Sequence, residues 1–109
     1  METCNSGSVK IFIAGNVQRA KQLCAEFVEK GACVNVVETE YIYKYGMEQG
    51  VIVEFINYPR FPKTPDQVIR DAFQLGKMLM RGLHAGSFTI ASSGWQNSEL
   101  NESYFFDRR

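Results

Sequence analysis

Histidine is almost missing from this sequence: His84 is the single imidazole in 109 residues. A histidine-based metal cage therefore cannot be assembled within one chain. Cysteine is scarce too, with Cys4, Cys24 and Cys33 forming an odd set without CxxC spacing. That pattern argues against a disulfide framework and a zinc site, and it reads as free thiols in a reducing cytoplasm. Net charge is absent, because 12 basic residues cancel 12 acidic ones. Without a basic excess the chain carries no electrostatic footprint for nucleic acid or an anionic membrane. No apolar run approaches the ~20 residues of a membrane helix, and Met1 to Ser8 has no apolar core of a signal peptide. Repeats, linkers and low-complexity tracts are also lacking.

What remains is an ordinary globular composition, 45% hydrophobic. A chain of this length buries roughly two-thirds of its unfolded surface, enough for one core without staples. The expectation is one domain over residues 1–109, with its core at about 9–91 and a polar, aromatic-tipped tail at 92–109.

Val9 to Ala14 (VKIFIA) is a short β-rich run ending at Gly15-Asn16, a strand followed by a turn. From Val17 to Lys30, Ala20, Leu23, Cys24, Phe27 and Val28 recur at helical spacing, and Gly31 stands where a helix terminates. Cys33 to Tyr45 is rich in β-formers. A turn near Tyr45-Gly46 leads into a third strand, Gln49 to Tyr58, and the pair reads as a hairpin. Pro59 and Pro62 end it. Thr64-Pro65-Asp66-Gln67 has the form of a capping box with proline at the first helical position, opening a helix that runs to Gly82–His84. Ser87 to Ala91 (SFTIA) is the fourth strand. Tyr104-Phe105-Phe106 can add a short strand or dock on a neighbour. The order β-α-β-β-α-β predicts an α+β, ferredoxin-like antiparallel sheet with two helices on one face.

Strand three is apolar on both sides. Val51, Val53 and Phe55 point one way; Ile52, Glu54, Ile56 and Tyr58 point the other. A sheet with one wet face alternates with polar residues, so the second face requires a cover, and a homo-oligomer is the simplest one. Glu54, between Ile52 and Ile56, is costly there unless it is paired or does chemistry. Two roles stay open: an interface salt bridge to Arg60, Lys44 or Arg19 of a neighbour, or a ligand-binding or catalytic carboxylate between subunits. Tyr41, Tyr43, Tyr45 and Tyr58 cluster around the hairpin. Tyrosines in strands usually pack, but aromatic faces attract cations and carboxylates pair with ammonium groups, so a small cationic ligand suits this set.

Two lesser motifs point to chemistry less directly. Gly15-Asn16-Val17-Gln18 resembles the start of the acylphosphatase signature, but Arg19 and Gln22-Leu23 follow, and the phosphate loop is not reproduced. His84, at the end of helix two, reads as a partner of the helix dipole before it reads as a base.

Tyr41-Ile42-Tyr43, Gly46, Glu48 and Val51 to Ile56, with Ala32-Cys33-Val34, resemble the CutA and PII-like group of ferredoxin-fold trimers. The spacing of eleven between Tyr43 and Glu54 is similar to that of a strand-two tyrosine and a strand-three glutamate in phage-encoded S-adenosylmethionine lyases. That resemblance implies a cytoplasmic homotrimeric enzyme, acting without metal or cofactor. It would cleave S-adenosylmethionine to methylthioadenosine and homoserine lactone, as a phage anti-restriction device. It implies Glu54 and Tyr43 as catalytic residues, with Tyr41, Ile52, Ile56 and Tyr58 as substrate contacts. A general-base role for Glu54, with water as the nucleophile, remains an alternative. So do a PII-like nucleotide-binding regulator and a CutA-like structural or metal-linked trimer.

Overall fold

The computed structural model describes residues 8–56, 64–93 and 103–107. In chain order the elements are β1 (Ser8–Ala14), α1 (Val17–Val28), β2 (Val34–Tyr43), β3 (Gly46–Phe55), α2 (Pro65–Gly82), β4 (Ser87–Ser93) and β5 (Ser103–Asp107). The strands form one sheet in the order β2-β3-β1-β4-β5, and every neighbouring pair is antiparallel. Four of them with the two helices make the expected ferredoxin-like α+β arrangement. The C-terminal aromatic segment supplies β5, which pairs with β4 through Thr89↔Phe105. The two edges of the sheet are therefore β5 and β2.

Period-two alternation decides the two faces. Val9, Ile11 and Ile13 of β1, Val51, Val53 and Phe55 of β3, and Phe88 and Ile90 of β4 are at most 5% exposed. They meet Ala20, Leu23, Cys24 and Phe27 of α1 and Val68, Ala72, Leu75 and Leu79 of α2, in one cluster. Burying each large aliphatic side chain contributes about 1.5–3 kcal/mol. Aromatic edges fix the fit: Phe27 meets Phe55 with ring centroids 6.2 Å apart and planes at 89°. Gly76 of α2 lies so close to Phe88 that a Cβ there would come within 2.3 Å of the ring. On the outer surface Lys30 ties the helices together, donating to Gln74 Oε1 at 2.6 Å and standing 3.7 Å from Asp71.

The helix ends follow local chemistry. Asn16 caps α1, its side chain accepting from the Arg19 N–H at 2.8 Å. The Gly15-Asn16 step is therefore a strand-to-helix turn. Thr64 and Gln67 close the capping box of α2 in both directions. At the other end of α2 the Ala85 N–H donates to the Met80 carbonyl and the His84 N–H to that of Arg81. That is a Schellman closure, with His84 in the left-handed position usually held by glycine, at φ 57°.

Element boundaries shift from expectation at the hairpin. β3 starts at Gly46 rather than Gln49, so Lys44 and Tyr45 alone make the turn, and Tyr45 takes φ 78°. β1 pairs with β3 only from Gly50 to Phe55, followed by one further bond from the Gly15 N–H to the Gln49 carbonyl. The outer hairpin, residues 40–49, runs on as a two-stranded arm. It carries Ile42 and Met47, register partners that are 80% and 63% exposed.

Candidate ligand-binding cleft

The face of the sheet away from the helices is organised in rows across the strands. One row is Val37, Ile52, Phe12 and Thr89. The next, toward the start of β2, is Asn35, Glu54, Lys10 and Ala91. In the opposite direction come Thr39, Gly50 and Ala14, and beyond them the arm residues Tyr41↔Glu48 and Tyr43↔Gly46.

A cleft of about 640 Å³ opens where the arm leaves the sheet. Its floor is Phe12, Ala14 and Thr89; one wall is Tyr41, Tyr43, Glu48 and Gln49 from the arm, and the other is the Leu83–Ser87 connection after α2. That size is in the range of small-molecule sites. Tyr41 is the fixed part. Its ring lies over Gly50, close enough that a Cβ there would sit 2.5 Å from Cε2, and its hydroxyl donates to the Val51 carbonyl at 2.7 Å. Burial raises its pKa, and a hydrogen bond with the Ile13 backbone pulls the other way. The phenol stays protonated, and its proton is already committed to the backbone.

Tyr43 is placed differently. Its hydroxyl donates to Glu48 Oε1 at 3.1 Å, and that hydrogen bond is the first cause raising its pKa, ahead of slight burial and the Glu48 charge. Tyr43 is half-exposed and Glu48 is exposed. A carboxylate can accept about four hydrogen bonds, so the bond from Tyr43 uses only part of the capacity of Glu48. His84 completes the opposite wall.

Of the six residues singled out in sequence, the cleft gathers Tyr41 and Tyr43. Ile52 lies in the middle of the sheet between Phe12 and Val37. Glu54 is half-buried between Asn35 and Lys10. Among the described residues the cation facing it in register is Lys10, which the sequence reading did not consider. Ile56 follows the end of β3 and is 45% exposed, and Tyr58 lies outside the described residues. Within one chain, Tyr43 and Glu54 occupy opposite ends of the β2–β3 pair. Eight residues separate Tyr43 from Asn35, the partner of Glu54, a span of roughly 26 Å at the usual rise of a strand. The carboxylate beside the tyrosines is Glu48. Sequence reading missed it because residues before Gln49 were assigned to the turn; period-two counting back from Gly50 would have put Glu48 on the face of Ile52 and Glu54.

Among the described residues, no three His, Cys, Asp or Glu side chains gather closely enough to ligate a metal. No described helix is long and apolar enough to cross a membrane. No protein-family model matches the chain, and no curated protein matches it in sequence. Solved structures do. A phage SAM lyase in its apo state superposes with a TM-score of 0.68 at 18% identity, covering 98% of this chain and 94% of that one. A phage SAM lyase in complex with S-methyl-5'-thioadenosine superposes at 0.65 and 16% identity, covering 98% and 95%. The chain has the fold of those proteins along almost its whole length.

Proposed function

We propose that this chain is an S-adenosylmethionine lyase that works as a homotrimer in the cytoplasm of a phage-infected host, where it depletes the methyl donor used by restriction systems. The observation that carries this reading is the end-to-end likeness to the two phage SAM lyase structures, one of them holding methylthioadenosine. The cleft between the arm and the sheet, large enough for a nucleoside, supports it. The two-residue turn at Lys44-Tyr45 leaves no long signalling loop of the PII kind.

The reaction needs little from the protein beyond geometry. The substrate's carboxylate oxygen attacks its own γ-carbon. The γ-carbon–sulfur bond breaks, and its electron pair neutralises the sulfonium. Methylthioadenosine and homoserine lactone result, and no proton moves. Holding the methionine arm in a near-attack conformation supplies most of the acceleration. In this reading Glu54 binds the substrate ammonium through a charge-assisted hydrogen bond, about twice as strong as a neutral one. Tyr43 positions the arm, and Tyr41, Ile52, Ile56 and Tyr58 line the site.

The separation of Tyr43 from Glu54 along the hairpin favours a site shared between subunits. The arm that carries Tyr43 projects past its own sheet and bears exposed Ile42 and Met47. The apolar row of the open face, with Val37 46% exposed, would meet a neighbouring copy. Tyr43 of one subunit then approaches Glu54 of the next.

The test is to incubate purified protein with S-adenosylmethionine and quench early. Methylthioadenosine and homoserine lactone should appear together. Homoserine appearing first, with solvent oxygen in its hydroxyl, would establish the water route instead. Glu54→Gln should lower turnover by about a hundredfold or more through lost orientation, with the oligomer intact. Full activity with a weakened oligomer would make Glu54 an interface ion-pair residue.

A further inference from the structure

We infer that Glu48, set between Tyr41 and Tyr43, is the residue that makes the cleft select a cationic adenosyl sulfonium over a neutral adenosyl thioether. The inference rests on the lyase reading and adds to it a determinant of substrate over product.

Three observations converge on Glu48. It is the one carboxylate among the described residues that line the cleft, and His84 stands on the opposite wall. Lys10, a basic residue of the open face, lies two rows from Gly50 on the far side of Phe12. Glu48 thus places a carboxylate on the arm wall of the cleft, and a charged recess concentrates ligands of opposite sign. Next, the Tyr43 hydroxyl donates to Oε1, which holds the carboxylate at the wall. Finally, Tyr41 and Tyr43 both line the cleft on the side of Glu48. Aromatic faces and a carboxylate together suit a diffuse, weakly hydrated cation, which offers no N–H donors and is bound by charge alone. Tyr41 is prevented from swinging away by its bond to Val51 and its contact with Gly50.

The charge that Glu48 faces disappears in the reaction. Sulfur is a cation in the substrate and a neutral thioether in methylthioadenosine. A carboxylate beside it therefore binds substrate more strongly than product and favours release once the bond is cut. It does not assist bond breaking, since that interaction weakens as the transition state forms. Glu48 is thus a specificity residue, with a role separate from that of Glu54.

The experiment measures equilibrium binding by calorimetry to the full-length protein and to Glu48→Gln. The probes are sinefungin, a stable amine-bearing analogue that is cationic where the sulfonium stands, and the neutral thioethers S-adenosylhomocysteine and methylthioadenosine. The wild-type protein should prefer sinefungin to S-adenosylhomocysteine, and Glu48→Gln should reduce that preference by about tenfold, as expected for a partly solvated cation site. Affinity for both thioethers should be unchanged. Added salt should erode the wild-type preference and leave the variant's nearly constant. If Glu48→Gln keeps the preference, or weakens all three ligands equally, the inference is wrong while the lyase reading stands. If the wild-type protein binds none of the three, the lyase reading itself fails and takes the inference with it.

Discussion

Gly50→Ala tests the hinge between sheet and arm. Gly50 has no left-handed backbone requirement, since the positive-φ glycines among the described residues are Gly15 and Gly31. The cost of a methyl group is therefore steric. A Cβ would stand 2.5 Å from the Ile13 carbonyl oxygen, 2.5 Å from Tyr41 Cε2 and 2.9 Å from the Ala14 Cα. Two of these are backbone atoms of the adjoining strand and cannot rotate away. Overpacking of this kind costs about 1–3 kcal/mol, and backbone involvement places it near 3. Replacing glycine returns about 0.5–1 kcal/mol by restricting the unfolded chain. The net loss is about 2 kcal/mol, which for a domain near 100 residues lowers Tm by roughly 8–12 °C. Thermal denaturation followed by circular dichroism measures it. Adding Tyr41→Ala removes one of the three clashes, so the double variant should show a favourable coupling of about 1 kcal/mol. A Gly50→Ala protein melting within 2 °C of the parent would refute the close approach of β1 and β3 at this point. Absence of coupling to Tyr41 would refute the placement of its ring.

The remaining predictions concern a helix end, a thiol and the arm. His84→Gly should raise stability by about 1 kcal/mol, because the left-handed C′ position penalises a side chain; urea unfolding showing a loss instead would mean that the imidazole makes a stabilising contact. The Cys24 thiol is pushed up to about 11 by burial, so the folded protein holds that proton more tightly than the unfolded chain. Its contribution is whole below the ordinary thiol pKa near 8.5 and is lost as the pH rises through about 11. Urea unfolding from pH 8 to 11 should therefore show a steeper alkaline decline for the parent than for Cys24→Ala; identical slopes would contradict this. Light scattering should give three times the chain mass, and Ile42→Asp should dissociate the assembly without changing the far-ultraviolet spectrum, since Ile42 is outside the core. A monodisperse monomer for the parent protein would exclude both the trimer and a site shared between subunits.

Much of the fold was legible in the chain because its information is local. Val9-Lys10-Ile11-Phe12-Ile13 alternates into and out of the core as strand period requires. Thr64-Pro65-Asp66-Gln67 begins α2 through contacts spanning three residues, and Asn16 begins α1 in the same way. The likeness in fold to phage SAM lyases, suggested by the Tyr43–Glu54 spacing, held along nearly the whole chain. What neighbours in sequence cannot specify is which residues meet across strands. A spacing of eleven makes a close pair only when the turn is centred between the two residues, and a turn beside Tyr43 sets them apart. The register Tyr43↔Gly46 and Asn35↔Glu54 decided that Tyr43 and Glu54 lie far apart in one chain and that Glu48 stands beside Tyr43. The same register placed Lys10 opposite Glu54. It also left the Ile42–Met47 arm beyond the end of β1. Side-chain period along a strand is set by backbone sterics and is readable residue by residue. Pairing between strands is set by where the turn falls and by packing of the whole sheet on its helices, and only the folded chain supplies it.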